Sequence, residues 1–287
     1  MIDSGAHGPA RSRHSSGATP GRIANTGVMV HASQFGHWLC DMDGVLINDG
    51  AIVPGADEFL DRLRRTDRRF LVLTNNSLFT PLEIVAQLGA RGVDVEVNQV
   101  WTSALATAHF VSRQRPGGTA FVIGQESVHR AIADAGYRES SAHPDYVVLG
   151  ETWDYSFDDF STAIRVIKGG SHFVATNPEP TGPTPDGSLP GCGAMAALIA
   201  SATGVAPFFV GKPNSLMLRE AMDRLEAPTQ SSVMIGDRME TDILAGVDAG
   251  LATILVLSGA NDEADARRYP FRPSRVARSV AELIDEL

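Results

Sequence analysis

Short apolar runs recur along the chain, and most end in a cluster of small or polar residues. The first, Trp38-Leu39-Cys40, runs into Asp41-Met42-Asp43-Gly44 before apolar residues resume at Val45. Phe70-Leu71-Val72-Leu73 ends in Thr74-Asn75-Asn76-Ser77, and Phe208–Val210 ends in Gly211-Lys212-Pro213. Ser232–Ile235 gives way to Gly236-Asp237, and Thr253–Leu257 is a last run of the same kind. Short apolar runs bounded by turn residues read as buried strands. Helical spacing fills the gaps between them. Pro54-Gly55 opens a helix with Phe59, Leu60 and Leu63 on its inner face. Thr80-Pro81-Leu82-Glu83 has the form of a helix start, with a Thr cap, Pro at the first position and Glu three residues after the cap. Leu82, Val85, Ala86 and Leu88 form the expected apolar face of that helix. A further helix spans Glu240 to Ala249 and closes at Gly250, and a short amphipathic helix is expected near Val280–Leu287.

From about Leu105 to Ala206 a second series of strands and helices runs its own course. Its strands are Ala120–Ile123, Tyr146–Leu149 and His172–Ala175, which end in Gly124-Gln125-Glu126, Gly150-Glu151-Thr152 and Thr176-Asn177-Pro178-Glu179. A Pro/Gly-rich stretch from Pro178 to Gly193 closes the block. Strands alternating with helices predict parallel sheets covered on both faces, hence an α/β protein. Residues 1–36 are rich in Gly, Ser, Ala, Arg and His and show no apolar periodicity. They are expected to form a disordered N-terminal extension.

Composition narrows the classes. The chain has 287 residues, enough for one large domain or two modest ones, and 43% hydrophobic with 20% charged residues is ordinary for a soluble globular protein. A formal net charge of −10 argues against a nucleic-acid or anionic-membrane surface. Phosphate can still be bound where a metal, a Lys or backbone amides reverse the charge locally. The two cysteines, Cys40 and Cys192, read as small buried residues of a reducing compartment. No stretch approaches the roughly 18 apolar residues needed to span a bilayer. The expected localisation is cytoplasmic.

The candidate chemistry lies where strands end. Asp41 and Asp43 would converge beyond the carboxyl end of their strand, with Gly44 permitting a tight turn. Two carboxylates held so close repel unless a cation lies between them or one is protonated. Thr74 and Asn75, Lys212, and Asp237 with Asp242 occupy the equivalent place after other strands. Each has an ordinary structural role open to it: Asp and Gly in turns, Lys on a solvated loop, acids at a helix N-terminus. In an open α/β sheet, however, ligands bind outside the carboxyl ends of the strands, and all four clusters fall there.

Asp41-Met-Asp43-Gly-Val45, Thr74-Asn75, Lys212 and Gly236-Asp237-Arg-Met-Glu-Thr-Asp242 resemble the four motifs of the haloacid dehalogenase superfamily. The block between the second and third motifs resembles the large cap of its NagD-like subgroup. The resemblance implies a Rossmann-like, doubly wound parallel core over residues 37–104 and 207–287, with an α/β cap over 105–206. It implies a Mg²⁺-dependent phosphomonoesterase in which Asp41 attacks phosphorus and Asp43 is the general acid and base. Thr74, Asn75, Lys212 and the backbone of Met42 and Gly44 would hold the phosphoryl oxygens. Asp41, the Asp43 carbonyl, Asp237 and Asp242 would serve the metal. Glu151, Trp153, Asn177 and Glu179 are the cap candidates for substrate specificity. Glu179 stands where the family more often has Asp, and Trp153-Asp154 replace an Arg and a small polar residue. The expected substrate is a small phosphorylated metabolite, a nucleoside 5′-monophosphate such as UMP first. Glycerol phosphate, a sugar phosphate or pyridoxal phosphate is the alternative. A non-catalytic phosphate sensor would require a broken motif position, and none is broken. Oligomeric state stays open, a homo-oligomer included.

Overall fold

The computed structural model describes residues 30–184 and 187–287; most of the expected N-terminal extension lies outside the described residues. The first half of the core contains β1 (His37–Asp41), a small flap β2 (Ile47–Asn48) and β3 (Ala51–Ile52), α1 (Ala56–Arg65), β4 (Arg69–Thr74), α2 (Pro81–Gly89), β5 (Val100–Thr102) and α3 (Ser103–Gln114). An inserted unit follows: β6 (Thr119–Ile123), α4 (Glu126–Asp134), β7 (Arg138–Glu139), β8 (Tyr146–Leu149), α5 (Phe157–Lys168) and β9 (His172–Ala175). It is completed by β10 (Thr181–Thr184), β11 (Gly187–Pro190), α6 (Cys192–Thr203) and β12 (Phe208–Phe209). The chain then returns through α7 (Ser215–Leu225), β13 (Ser232–Gly236), α8 (Leu244–Asp248), β14 (Ala252–Val256), α9 (Glu263–Ala266) and β15 (Arg275–Ala277).

The core sheet has the order β15-β14-β13-β1-β4-β5, and every pairing in it is parallel. The chain leaves β1 outward through β4 and β5, then returns on the other side of β1 with β13. That reversal is the topological switch point where parallel sheets open a crevice. It brings the carboxyl ends of β1, β4 and β13 side by side, carrying Asp41, Thr74 and Asp237. A second parallel sheet, β12-β9-β8-β6-β7, belongs to the inserted unit. β12 pairs with β9 there, so the inserted sheet ends at Phe209 rather than at the expected boundary of 206.

One apolar cluster lies on the first face of the core sheet, with Trp38, Phe59, Leu60 and Leu63 at its centre. The cluster on the opposite face is continuous with the inserted unit, from Leu39 and Leu71 through Trp101 and Val111 to Val122 and Val148. The α1 face is the expected one. That of α2 is not: Ile84 and Leu88 are buried, while Leu82 is 63% exposed and Ala86 lies on the surface. Its capping box is formed, with Thr80 accepting from the Glu83 amide and Glu83 from the Thr80 amide. The helix expected over residues 240–249 opens as a π-helical turn, Met239–Ile243, before α8 begins. The C-terminal turn, Val280–Glu286, is a 3₁₀ helix with Val280, Leu283 and Ile284 buried.

Residues 30–36 also depart from the sequence reading. Ala32 and Phe35 are buried in the core, the Phe35 ring packs edge-on against Trp38, and the Ala32 amide donates to Glu286. Both cysteines are free and buried. Among the described residues, no helix is long and apolar enough to cross a membrane.

Candidate active site

The site begins with β1, whose last residue is Asp41. The strand is buried on both faces, so its alternation delivers the Asp41 side chain to the edge of a dry core. The chain then turns at once. The Gly44 amide donates to the Ile47 carbonyl at 2.6 Å, and the Leu46 and Ile47 amides both donate to the Met42 carbonyl. Gly44 has φ +74°, and a Cβ there would collide with the Asp237 carboxylate. Glycine is thus required both for the backbone conformation and for the close approach of a third acid.

Lys212 organises the acids. Its Nζ donates to Asp41 Oδ1 at 2.6 Å and to Asp242 Oδ1 at 2.7 Å, and all three residues are buried. Burial alone would push the Lys212 ammonium down, but Asp242 and Asp41 outweigh it and hold the group charged. Asp242 also accepts from the Arg238 amide at 3.1 Å, within the π-helical turn. Asp237 accepts from the Ala260 amide at 2.7 Å through Oδ2. Its Oδ1 is buried and has no hydrogen-bond partner among the described residues.

Asp41, Asp237 and Asp242 offer carboxylate oxygens within 4.8 Å of one another. Lys212 supplies one positive charge against these three acids. Burial, then Asp242, raises the Asp41 carboxyl well above the usual range despite Lys212, and the same two causes push Asp237 up to about 6. Such a cluster favours a divalent cation, and the orphaned Asp237 Oδ1 is a ready ligand of the oxygen type that Mg²⁺ prefers. The donor set fits.

Asp43 sits differently. It is open to solvent, yet it stands on the floor of a crowded cleft. That crowding raises its carboxyl; Lys212 and Arg238 pull it down, and Glu179 pushes it up again. An acid whose carboxyl is raised from its ordinary range, facing solvent beside a buried carboxylate, is suited to proton transfer.

Thr74 ends β4, buried, with its hydroxyl accepting from the Asn76 amide at 3.1 Å. Asn75 is a hub. Its Nδ2 donates to the Lys212 carbonyl at 2.9 Å and to Glu179 Oε1 at 3.1 Å, and its carbonyl accepts from Ser103 Oγ and Asn177 Nδ2. The side chain therefore sets the Lys212 loop, and one cap residue, in register with β4.

The four cap candidates separate. Glu179 reaches the cleft, where its charge acts on both Asp43 and Arg238. Asn177 is fully buried and spent on the Asn75 carbonyl and the Glu179 amide. Glu151 accepts from the Ser77 amide at 2.9 Å and from Ser77 Oγ at 3.0 Å, and so seats the inserted unit on the core. Trp153 is 54% exposed. Sequence reasoning assigned no role to Ser77, Ser103 or Arg238, nor to the loop Ser258–Asn261, which supplies the Ala260 amide to Asp237, the Asn261 side chain to the Met239 amide and the Ser258 hydroxyl to the Gly44 carbonyl. The Ser-Gly pair following β14 was the available signal for that loop.

A haloacid dehalogenase-like hydrolase family model matches residues 38–138, and a second model, described as HAD-hydrolase-like, matches residues 209–283. The chain is 50% identical to dihydroxyacetone phosphatase of Corynebacterium glutamicum (strain R) over 248 residues, covering 86% of this chain and 90% of that one. It is 40% identical to ribonucleotide monophosphatase NagD of Escherichia coli (strain K12) over 245 residues, covering 85% and 96%. The solved structure of NagD from E. coli superposes with a TM-score of 0.83, covering 86% of this chain and 98% of that one. That of a 4-nitrophenylphosphatase from Thermotoga maritima superposes with a TM-score of 0.84 at 30% identity, covering 88% and 97%.

Proposed function

The chain belongs to the haloacid dehalogenase-like hydrolases as a phosphoric monoester hydrolase, and we propose that it works through an aspartyl-phosphate on Asp41 with Mg²⁺ as cofactor. The observation that carries this reading is the Lys212-bound pair Asp41 and Asp242 beside the unpartnered Asp237 Oδ1. Asp41, Asp237, Asp242 and the Asp43 carbonyl would hold the ion, which when bound offsets the repulsion between carboxylate and phosphate dianion.

Asp41 attacks phosphorus as the ester P–O bond breaks, and the leaving oxygen takes the Asp43 proton. Water then attacks the phosphorus of the aspartyl-phosphate. Its proton passes to Asp43, the bond to Asp41 breaks, and inorganic phosphate leaves. Lys212 holds one oxygen of Asp41, which fixes the rotation of the carboxylate. The Thr74 hydroxyl and the amides of Met42–Gly44 and Asn75 bind the phosphoryl oxygens, where charge spreads in the transition state.

For the substrate, a small phosphate ester is favoured over a nucleoside monophosphate. The 50% identical relative is a dihydroxyacetone phosphatase, and Asn177, a candidate from the sequence for substrate specificity, is buried with both its side-chain polar atoms already hydrogen-bonded. The ribonucleotide monophosphatase relative keeps the nucleotide reading as the second choice. Turnover of p-nitrophenyl phosphate tests the chemistry. It is expected to need added Mg²⁺, to stop with EDTA, and to fall by more than about a hundredfold in Asp41→Asn, beyond the loss of one auxiliary group. Turnover that survives either change sinks the mechanism.

A further inference from the structure

Arg238 follows Asp237 in the Gly236–Asp242 segment, and the catalytic machinery gives its side chain no task. Its amide is used, donating to Asp242 at 3.1 Å, and this fixes where the residue leaves the sheet. Its guanidinium is not: among the described residues it forms no ion pair and no side-chain hydrogen bond, and the residue is exposed. The acids around it are Asp237, Glu179, Glu240 and Asp242. Each has another donor. Asp237 holds the Ala260 amide, Glu179 the Asn75 amide nitrogen, Glu240 the Tyr269 hydroxyl and Asp242 the Lys212 ammonium. An arginine placed among acids and left unpaired keeps a full set of donors for a ligand.

Its position says which ligand. Asp43, the proton donor to the leaving group, feels both Arg238 and Glu179. Arg238 comes from the core beyond β13, and Glu179 from the inserted unit beyond β9. Strand β1 lies between β13 and β4, so Asp43, just past β1, stands between Arg238, just past β13, and Glu179, held by Asn75 at the end of β4. A group leaving past Asp43 meets a cation from one unit and a carboxylate from the other. Glu179 is aimed by Asn75 Nδ2 at 3.1 Å, the same nitrogen that holds the Lys212 loop, so its place is tied to that of the phosphate site.

We infer that Arg238 and Glu179 form a donor–acceptor pair that reads the leaving group, and that the pair selects short phosphate esters carrying a carbonyl and a hydroxyl close to the ester oxygen. The guanidinium donates to the carbonyl and the carboxylate accepts from the hydroxyl. Such a pair discriminates well, because a leaving group that lacks one partner strands a polar group of the cleft. The inference rests on the phosphatase reading above and adds the substrate class to it.

The test compares kcat/KM for dihydroxyacetone phosphate, hydroxyacetone phosphate (which lacks the hydroxyl), glycerol phosphate (which lacks the carbonyl), UMP and p-nitrophenyl phosphate. Wild type is expected to prefer dihydroxyacetone phosphate over both truncated esters. In Arg238→Met, the ratio of dihydroxyacetone phosphate to p-nitrophenyl phosphate falls at least roughly tenfold, the effect of one hydrogen bond to a charged group, mainly through KM. Arg238→Lys recovers part of that ratio, because a point charge replaces the fork. Glu179→Gln lowers the preference for dihydroxyacetone over hydroxyacetone phosphate and leaves the ranking of the two esters without the hydroxyl, hydroxyacetone and p-nitrophenyl phosphate, as it was. An equal loss on every ester in Arg238→Met overturns the inference, since the arginine then serves the acidic centre. A wild type that turns over p-nitrophenyl phosphate but prefers UMP to the hydroxyketone ester overturns it too, while leaving the phosphatase reading intact. No turnover of p-nitrophenyl phosphate at all defeats that reading instead.

Discussion

Only Met42 separates Asp41 from Asp43, yet the two carboxyls have opposite surroundings. Asp41 is buried against Lys212, where one oxygen is already occupied and the group is held in one orientation. Asp43 lies beyond the strand end with its side chain open to the cleft. A group that must exchange protons with a leaving alcohol and then with water needs that access. Asp43→Asn keeps size and backbone, so the Asp43 carbonyl stays in place for the ion. The variant should lose roughly a hundredfold to ten-thousandfold in kcat on alkyl phosphates, the usual worth of a positioned acid, with Mg²⁺ affinity nearly unchanged. On p-nitrophenyl phosphate, whose leaving group needs no proton, the loss should be much smaller. Steady-state assays on the two ester types, with phosphorylation limiting in both, check this; equal losses would remove Asp43 from the acid role.

At the level of elements, three strands end side by side because β1 sits at the switch of the sheet. Their order is kept by pieces far from the site. The C-terminal 3₁₀ turn packs Leu283 and Ile284 into the same cluster as Trp38 and Phe59. Its Glu286 accepts from Arg275 Nη1 at 2.6 Å and from the Ala32 amide at 2.9 Å, tying the end of the chain to β15 and to the segment before β1. The Arg275 hydrogen bond holds the Glu286 carboxyl down at about 2, against an ordinary 4.5. A carboxyl depressed in the fold stabilises it above its unfolded value, and the contribution disappears as pH falls from about 4.5 toward 2. Glu286→Gln should therefore cost about 1 to 2 kcal/mol at pH 7, after allowance for solvent screening. The difference from wild type should shrink steadily below pH 4.5 in urea melts. A penalty that stays constant from pH 7 to pH 3 would mean that packing, not the ion pair, holds the turn.

On the scale of the whole molecule, the inserted unit is seated and not merely tethered. Apolar contact runs unbroken from the second face of the core sheet into the inserted sheet. Beside it the Asn75–Ser77 segment makes the polar contacts: Ser77 to Glu151 and to Thr176, Asn75 to Asn177 and Glu179, and Ser127 to the Ser77 carbonyl. The proposed phosphate site and the cap are thus fixed to one stretch of chain. Ser77→Ala removes a donor from a partly buried Glu151 carboxylate and an acceptor from the Glu151 amide. A cost of about 1 to 3 kcal/mol in stability is expected, with kcat/KM lowered in the same proportion for every substrate, since cap seating does not distinguish leaving groups. Thermal melts together with a substrate panel check it. A change of ranking without loss of stability would make Ser77 a specificity residue instead.

Periodicity alone carried the parallel α/β architecture, because strands buried on both faces must be continuous apolar runs, and those runs stand out in β1, β4 and β13. The acids, Thr74 and Lys212 were legible for a related reason: polar residues immediately after such a run have nowhere to go but the sheet end. Three things were not. The α2 face was misread because Leu82, in the first turn, lies off the stripe that tertiary packing selects through Ile84 and Leu88. The junction at Phe209 depends on which sheet a two-residue strand joins, and two apolar residues hold no record of their partner. Cap residues were ranked by chemical type, and only the fold decides that Asn177 and Glu151 spend their polar atoms on the core while Glu179 faces the cleft. A sequence fixes which groups a chain owns and the local period on which they appear. Which of them remain unpaired once every neighbour is in place, as Asp237 Oδ1 and the Arg238 guanidinium do, depends on contacts between residues far apart in the chain, and so only the tertiary structure decides it.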